Sequence, residues 1–224
     1  MVGRILTIAS SKGGGGKTAL ACCLAPNLAA HGYTVGVIDA DPNGSFAAWH
    51  SAYEGPAIRC QAEALDVPVV DLAQAWAVEL DVVIIDTAGF GNLTAAAAMG
   101  AADHVLVPCM ADRGSTREAA KTIQKAASLA RAARRAIPAS IILSQWRLTG
   151  VAERAATEDL IDYGIKSILR TALPERAALR QMSFDSKAIT GGTIGHVIDT
   201  LIAELVELGA IDELSELANT GGRA

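Results

Sequence analysis

Apolar and polar positions follow two rhythms along the chain. Short apolar runs recur at Ile5-Leu6-Thr7-Ile8-Ala9, Val35-Gly36-Val37-Ile38, Val82-Val83-Ile84-Ile85, His104–Val107, Ile137–Ser144 and Ile165–Leu169. Runs of this length without alternation predict strands buried on both faces, as in a parallel sheet. Longer segments with helical spacing lie between them: a helix from Lys17 toward Gly32, then Phe46–Tyr53, Asp71–Leu80, Asn92–Ala102, Ser115–Arg135, 151–163, Thr193–Leu208 and Ile211–Ala218. Strand alternating with helix predicts an α/β fold, a mostly parallel central sheet with helices on both faces. Pro26 predicts a kink or an early break in the first helix, because an interior proline removes one hydrogen bond and crowds the preceding turn. Residues 55–70 carry the weakest pattern, with Ile58-Arg59-Cys60 as a further short strand. No linker interrupts the pattern, so one domain over 1–218 is expected, followed by a disordered tail at 219–224.

The stretch between the first strand and the first helix carries the chemistry. It reads Ser10-Ser11-Lys12-Gly13-Gly14-Gly15-Gly16-Lys17-Thr18. Strand, glycine loop and helix in that order make a phosphate-binding loop: without Cβ atoms, consecutive N–H groups can curl around an anion. The helix that follows turns its positive dipole end to the same place. In such a loop Lys17 reaches the β- and γ-phosphates and the Thr18 hydroxyl ligates Mg²⁺. The strict pattern would need glycine at Ser11; the loop opens instead on a second lysine, Lys12. Two further signals stand at strand ends. Asp39-Ala40-Asp41-Pro42-Asn43 follows Ile38, and Asp86-Thr87-Ala88-Gly89 follows Ile85. A carboxylate delivered by a buried strand is the Walker B arrangement, and ligands of open α/β sheets sit at the carboxyl ends of strands.

These motifs resemble the ParA/MinD family of ATPases with a deviant phosphate loop, K-G-G-x-G-K-T. The match runs through the chain, and is closest to the small plasmid-partition ATPases of the ParF kind and to the VirC1 type, which works with transferred DNA. The resemblance implies ATP held by Gly13, Gly14, Gly15, Gly16, Lys17, Thr18 and Ala19, with adenine near Pro174. It implies that Asp41 positions the attacking water, that Asp39 and Asp86 support Mg²⁺ with Thr18, and that Lys12 reaches the nucleotide of a partner subunit. It further implies an ATP-bound homodimer, non-specific DNA binding, slow hydrolysis stimulated by a ParB-like or other cargo adaptor, and a cytoplasmic, nucleoid-associated protein. Ala19 stands where the family has Thr or Ser, and Ser144-Gln145-Trp146-Arg147 departs from its T-R or N-R.

Composition narrows the partners. The chain is 51% hydrophobic and 19% charged, which suits a packed core rather than disorder. A net charge of −5 argues against a generally polybasic nucleic-acid binder and leaves a local basic face open. On the helix Ser115–Arg135, the cations Arg117, Lys121, Lys125, Arg131 and Arg135 share about one third of the circumference, either as a solvated face or as a DNA contact. Lys121, Lys125, Arg176, Arg180 and Lys187 are the DNA candidates. Cys22, Cys23, Cys60 and Cys109 form no C-x-x-C pair and read as small buried apolar residues, which fits a reducing cytoplasm. No stretch approaches the roughly 18–20 apolar residues of a membrane span. A membrane-surface regulator of the MinD kind needs a basic C-terminal helix, whereas Asp199 to Glu216 is acidic. An ATP-dependent synthase on the same scaffold stays open as an alternative, as does a positioning ATPase for a protein cargo or for conjugative DNA transfer of the VirC1 kind.

Overall fold

Over the described residues the alternating pattern folds as seven parallel strands and eight helices. The computed structural model describes residues 2–89, 93–147, 150–175 and 177–214, without the side chains of residues 180, 183 and 184. In chain order the elements are β1 (Arg4–Ile8), α1 (Lys17–Ala30), β2 (Val35–Ala40), α2 (Ser45–Ser51), β3 (Ile58–Ala62), α3 (Asp66–Glu79), β4 (Val82–Thr87), α4 (Leu93–Ala101), β5 (His104–Cys109), α5 (Arg113–Ala133), β6 (Ala139–Trp146), α6 (Val151–Asp162), β7 (Ile168–Pro174), α7 (Ala177–Asp185) and α8 (Gly192–Glu207). The strand order is β3-β2-β4-β1-β5-β6-β7, every pair parallel.

Side chains alternate across the pleat, so neighbouring strand residues serve different cores. Leu6, Ile84, Leu106 and Ile142 face α1, α2, α7 and α8. Val105, Val107 and Ile141 face α5 and α6, while Ile5, Val83 and Ile85 face α3. The sheet is thereby covered on both sides, which is why its strands read as unbroken apolar runs.

Four expectations need correction. Helix α1 runs unbroken through Pro26. Ten of its 14 residues are buried, Leu20, Leu24 and Leu28 among them. At about 1.5–3 kcal/mol for each large apolar side chain, that burial exceeds the roughly 3 kcal/mol cost of an interior proline. The Asn27 side chain also donates to the Cys23 carbonyl at 2.7 Å. Helix α3 starts at Asp66 rather than Asp71; Pro68 falls in its first turn, where the missing N–H has no partner to lose. The last strand is Ile168–Pro174 rather than Ile165–Leu169. Ile165 instead closes α6: its N–H donates to Leu160 after Gly164 turns left-handed at φ 73°. Residues 211–214 are not helical, and Asp212 pairs there with Arg4 at 2.7 Å. The rest of the expected Ile211–Ala218 helix, and the tail, lie outside the described residues.

Candidate functional site

The carboxyl ends of β1, β2, β4, β6 and β7 converge on one cleft of about 900 Å³. Its floor is the loop Gly13–Gly16 and the start of α1, and its walls include Asp41, Trp49, Gly89, Ser144, Gln145, Pro174 and Met182. Gly14 and Gly16 hold φ of 73° and 86°, the left-handed region that side chains disfavour. Gly16 is the N-cap of α1 and supplies no capping side chain, so the first N–H groups of α1 are left for an anion. A Cβ on Gly89 would lie 3.4 Å from the Gly13 nitrogen, so the loop after β4 rests on the phosphate loop.

Parallel register sets the carboxylates. Asp39 and Asp86 are direct partners across β2 and β4. Asp39 accepts from the N–H groups of Asp41 at 3.1 Å and of Ala47 at 2.9 Å, and so holds the start of α2. Burial raises its pKa and these N–H groups resist the rise. Asp86 is fully buried, and neither of its oxygens has a hydrogen-bond partner. Burial pushes it up to about 7; the Thr18 hydroxyl restrains the shift without reaching bonding geometry, Asp39 and Asp41 add to it, and Lys17 opposes it. Lys17 is itself 7% exposed, and burial lowers its pKa against the pull of Asp86 and Asp41. Asp41 turns its carboxylate on Asn43, accepting from that residue's N–H and side-chain amide at 2.9 Å each.

Over residues 3–220 the chain matches the family model described as VirC1 protein. The chain belongs to the VirC1 family. A protein ParA from Rhizobium radiobacter is 35% identical over 105 residues, which cover 46% of this chain and about half (47%) of that relative. Among solved structures, a Cyanothece McdA variant in complex with ATP superposes with a TM-score of 0.78 at 17% identity, covering 96% of this chain and all of that one. A plasmid partition protein of Borrelia burgdorferi bound to AMPPNP gives 0.72 at 15% identity, covering 92% and 99%. The cell division ATPase MinD of Pyrococcus furiosus gives 0.71 at 18% identity, with the same coverage. The likeness read from the motifs thus holds for both family and fold.

In this VirC1-family chain, Gly13–Ala19, Asp41 and Pro174 line the cleft, and Lys17, Thr18, Asp39 and Asp86 gather at its base. Lys12 does not line it. Its ammonium bonds Asp112 at 2.9 and 3.0 Å and the Ser115 hydroxyl at 3.1 Å. Asp112 caps α5 by accepting from the Ser115 N–H at 2.9 Å. Burial alone would raise Asp112, but Lys12 and Ser115 outweigh it and bring the carboxyl down to about 2. Ser11 meets Thr122 of α5 at 3.1 Å as well, so the loop's opening residues are fastened to that helix.

Trp49 is a packing anchor: it is 5% exposed, stacks on Tyr53 and donates to the Met182 carbonyl at 2.9 Å. Cys22 and Cys23 line the cleft, Cys109 is buried and Cys60 is half-buried. Burial raises all four thiols, to about 11 at Cys60 and about 12 at Cys23 and Cys109. The DNA candidates divide. Lys121 and Lys125 are exposed on α5, while Lys187 is exposed beyond α7, on the other face of the sheet. Arg176 and the Arg180 side chain lie outside the described residues.

The motifs do not reveal Asp112, Met182 or the role of Gln145. Gln145 holds φ 54°, inside the irregular pairing of β6 with β7 between Leu143 and Trp146. Such an irregularity re-aims a side chain, and here it directs Gln145 to the cleft. The chain beyond it is joined to the end of β7 by the Arg147–Glu175 ion pair.

Proposed function

We propose that this VirC1-family chain is an ATPase that binds Mg-ATP, dimerises on it, and in that state holds duplex DNA without sequence preference to position or segregate it. The observation that carries this reading is the fully buried Asp86 carboxylate with two unpartnered oxygens, set beside Lys17, Thr18 and Asp39 under a glycine cradle. An unpaired buried carboxylate is costly and persists only where something else meets it. Those residues fit a magnesium ion that keeps water and phosphate ligands: among the described residues no three His, Cys, Asp or Glu side chains form a full protein cage. A bound Mg²⁺ would neutralise charge on the β- and γ-phosphates. Lys17 would bind the phosphates, with Thr18 and Asp86 on the metal side. Asp41, at the cleft wall, would orient the attacking water, and the loop N–H groups would stabilise the oxyanions.

Lys12 would leave Asp112 and reach the nucleotide of a second copy. Release would follow hydrolysis stimulated by an adaptor protein; a MinC:MinD complex from Aquifex aeolicus is among the structural neighbours, so this fold accommodates a partner. The chain would act in the cytoplasm, on the nucleoid when ATP-bound. Light scattering of Asp41→Ala with Mg-ATP, with and without a mixed-sequence duplex, tests the reading. A dimer that alone binds DNA supports it. A monomer under those conditions refutes the dimer switch, and an ATP dimer indifferent to DNA moves the function to a protein cargo or a synthase.

A further inference from the structure

Charge is distributed unevenly along this chain. Residues 113–135 hold seven of its 19 Lys and Arg residues and one of its 24 Asp and Glu residues. The remainder therefore holds 12 cations against 23 anions. All seven of the segment's cations are exposed: Arg113, Arg117, Lys121, Lys125, Arg131, Arg134 and Arg135. The opposite face of α5 is buried through Ser115, Thr116, Ala119, Ala120, Thr122 and Ala126, which fixes which side the cations present.

We infer that the solvent face of α5 is the surface that carries DNA, by tracking the phosphate backbone; this rests on the DNA-binding part of the proposed function. Arg117, Lys121 and Lys125 recur every four residues, so successive cations stand about 6 Å apart along the axis. The 21-residue helix is about 31 Å long, close to one turn of B-form DNA at roughly 34 Å. Cations in such a row gain affinity from counterion release and read no bases. Their internal ties are weak competitors. Lys121 pairs with the part-buried Glu118 one turn before it, and its own ammonium stays half-exposed. Arg113 lies 4.0 Å from Asp159, Arg131 bonds the Ser128 hydroxyl, Arg135 bonds the Gly100 and Ala102 carbonyls, and Arg117, Lys125 and Arg134 have no acidic partner among the described residues.

A lipid surface fits less well, because none of the large exposed apolar residues lies on α5 to insert. The rival DNA surface around Lys187 adjoins α8, which carries Asp199, Glu204 and Glu207 and no Lys or Arg. The helix that carries these cations is fastened to the phosphate loop by its other face and its N-cap, through Ser11–Thr122 and Lys12–Asp112.

The test is fluorescence anisotropy of a labelled mixed-sequence duplex with the full chain in Mg-ATP, across about 50 to 200 mM salt. Arg117→Ala/Lys121→Ala/Lys125→Ala should bind at least tenfold more weakly. Its log–log salt slope should fall by roughly 2–3, at about 0.9 per lost phosphate contact. Lys187→Ala should bind like the parent, and ATP affinity should be unchanged in both. Should the triple variant fold poorly, Lys125→Glu alone should weaken binding and flatten the slope. If the parent binds and the triple variant binds equally, the surface is wrong while the proposed function stands. If the parent ignores DNA with ATP bound, the DNA part of that function and this surface fail together. Equal capture by anionic vesicles through the same three residues would overturn the choice of DNA.

Discussion

The amino and carboxyl ends of the sheet use their polar groups differently. At the amino end, Asp81 accepts from the N–H and hydroxyl of Thr34 at 2.7 and 2.6 Å, and Asp103 accepts from the Ile5 N–H at 2.9 Å. His104 bonds Ser140 at 3.0 Å, and Ser140 bonds Ser167 at 2.7 Å. Burial there lowers His104 to about 4, so the ring stays neutral. At the carboxyl end Asp86 has no hydrogen-bond partner among the described residues, and Lys17 is buried beside it. One end commits its polar groups to holding strands and loops in place, although His104 keeps one buried ring nitrogen, Nδ1, without a hydrogen-bond partner among the described residues. The other leaves them reactive at a cost in stability, as expected where a ligand supplies the missing contacts.

The largest test of this contrast removes the charge that meets the phosphates. Lys17→Ala should weaken ATP binding about a hundredfold, near 3 kcal/mol for a charge-assisted contact, as read by calorimetric titration. Retained affinity would remove the phosphate-loop assignment.

Next come two variants that tilt the pH profile in opposite directions. The unfolded chain protonates Asp86 near 3.8 and the fold does so near 7. The fold therefore holds the extra proton in that window, and Asp86 costs stability as pH rises through it, up to about 4 kcal/mol. His104 shifts the other way, from 6.5 to about 4. The unfolded chain holds that proton, so His104 costs stability as pH falls, up to about 3 kcal/mol. In nucleotide-free protein the two slopes nearly cancel. Denaturant melts from pH 4 to 7 should show, relative to the parent, a profile rising with pH in Asp86→Asn and falling with pH in His104→Phe. Parallel profiles in the two variants would end the contrast. Asp86→Asn should also lose ATP hydrolysis, and His104→Phe should keep it.

The smallest effect belongs to the contact between the phosphate loop and α5. Asp112→Asn removes a half-exposed ion pair and should cost no more than about 1 kcal/mol. It should let the ATP dimer form at several-fold lower protein concentration, whereas Lys12→Ala should abolish that dimer and spare nucleotide binding by the monomer. Unchanged dimerisation in Asp112→Asn would mean that the Lys12–Asp112 pair does not compete with the partner's nucleotide.

Much of this is legible in the sequence. The residues at the base of the cleft sit in three contiguous motifs at strand ends, where local spacing dictates placement. Asp112 is not legible in the sequence because its bond to Lys12 spans 100 positions, and only the packing of α5 on β5 and β6 brings it to the loop after β1. The start of α3 lies in the weakly patterned stretch 55–70, where Pro68 is compatible with a helix only in its first turn, and Ile165, a buried apolar residue after a helix, reads as a strand. Gln145 depends on an irregular register between β6 and β7, which no periodicity encodes.

The four thiols have a practical consequence. Attack on electrophiles and peroxide requires thiolate, and every cysteine of this chain is held in the thiol form at neutral pH. Two of them line the cleft without adding a nucleophile to it. Burial of Cys22, Cys23 and Cys109 and the raised thiol of half-buried Cys60 should make the native protein label slowly with maleimide, Cys60 first. A dye placed by Arg131→Cys would report from α5 alone, without stripping the natural cysteines first.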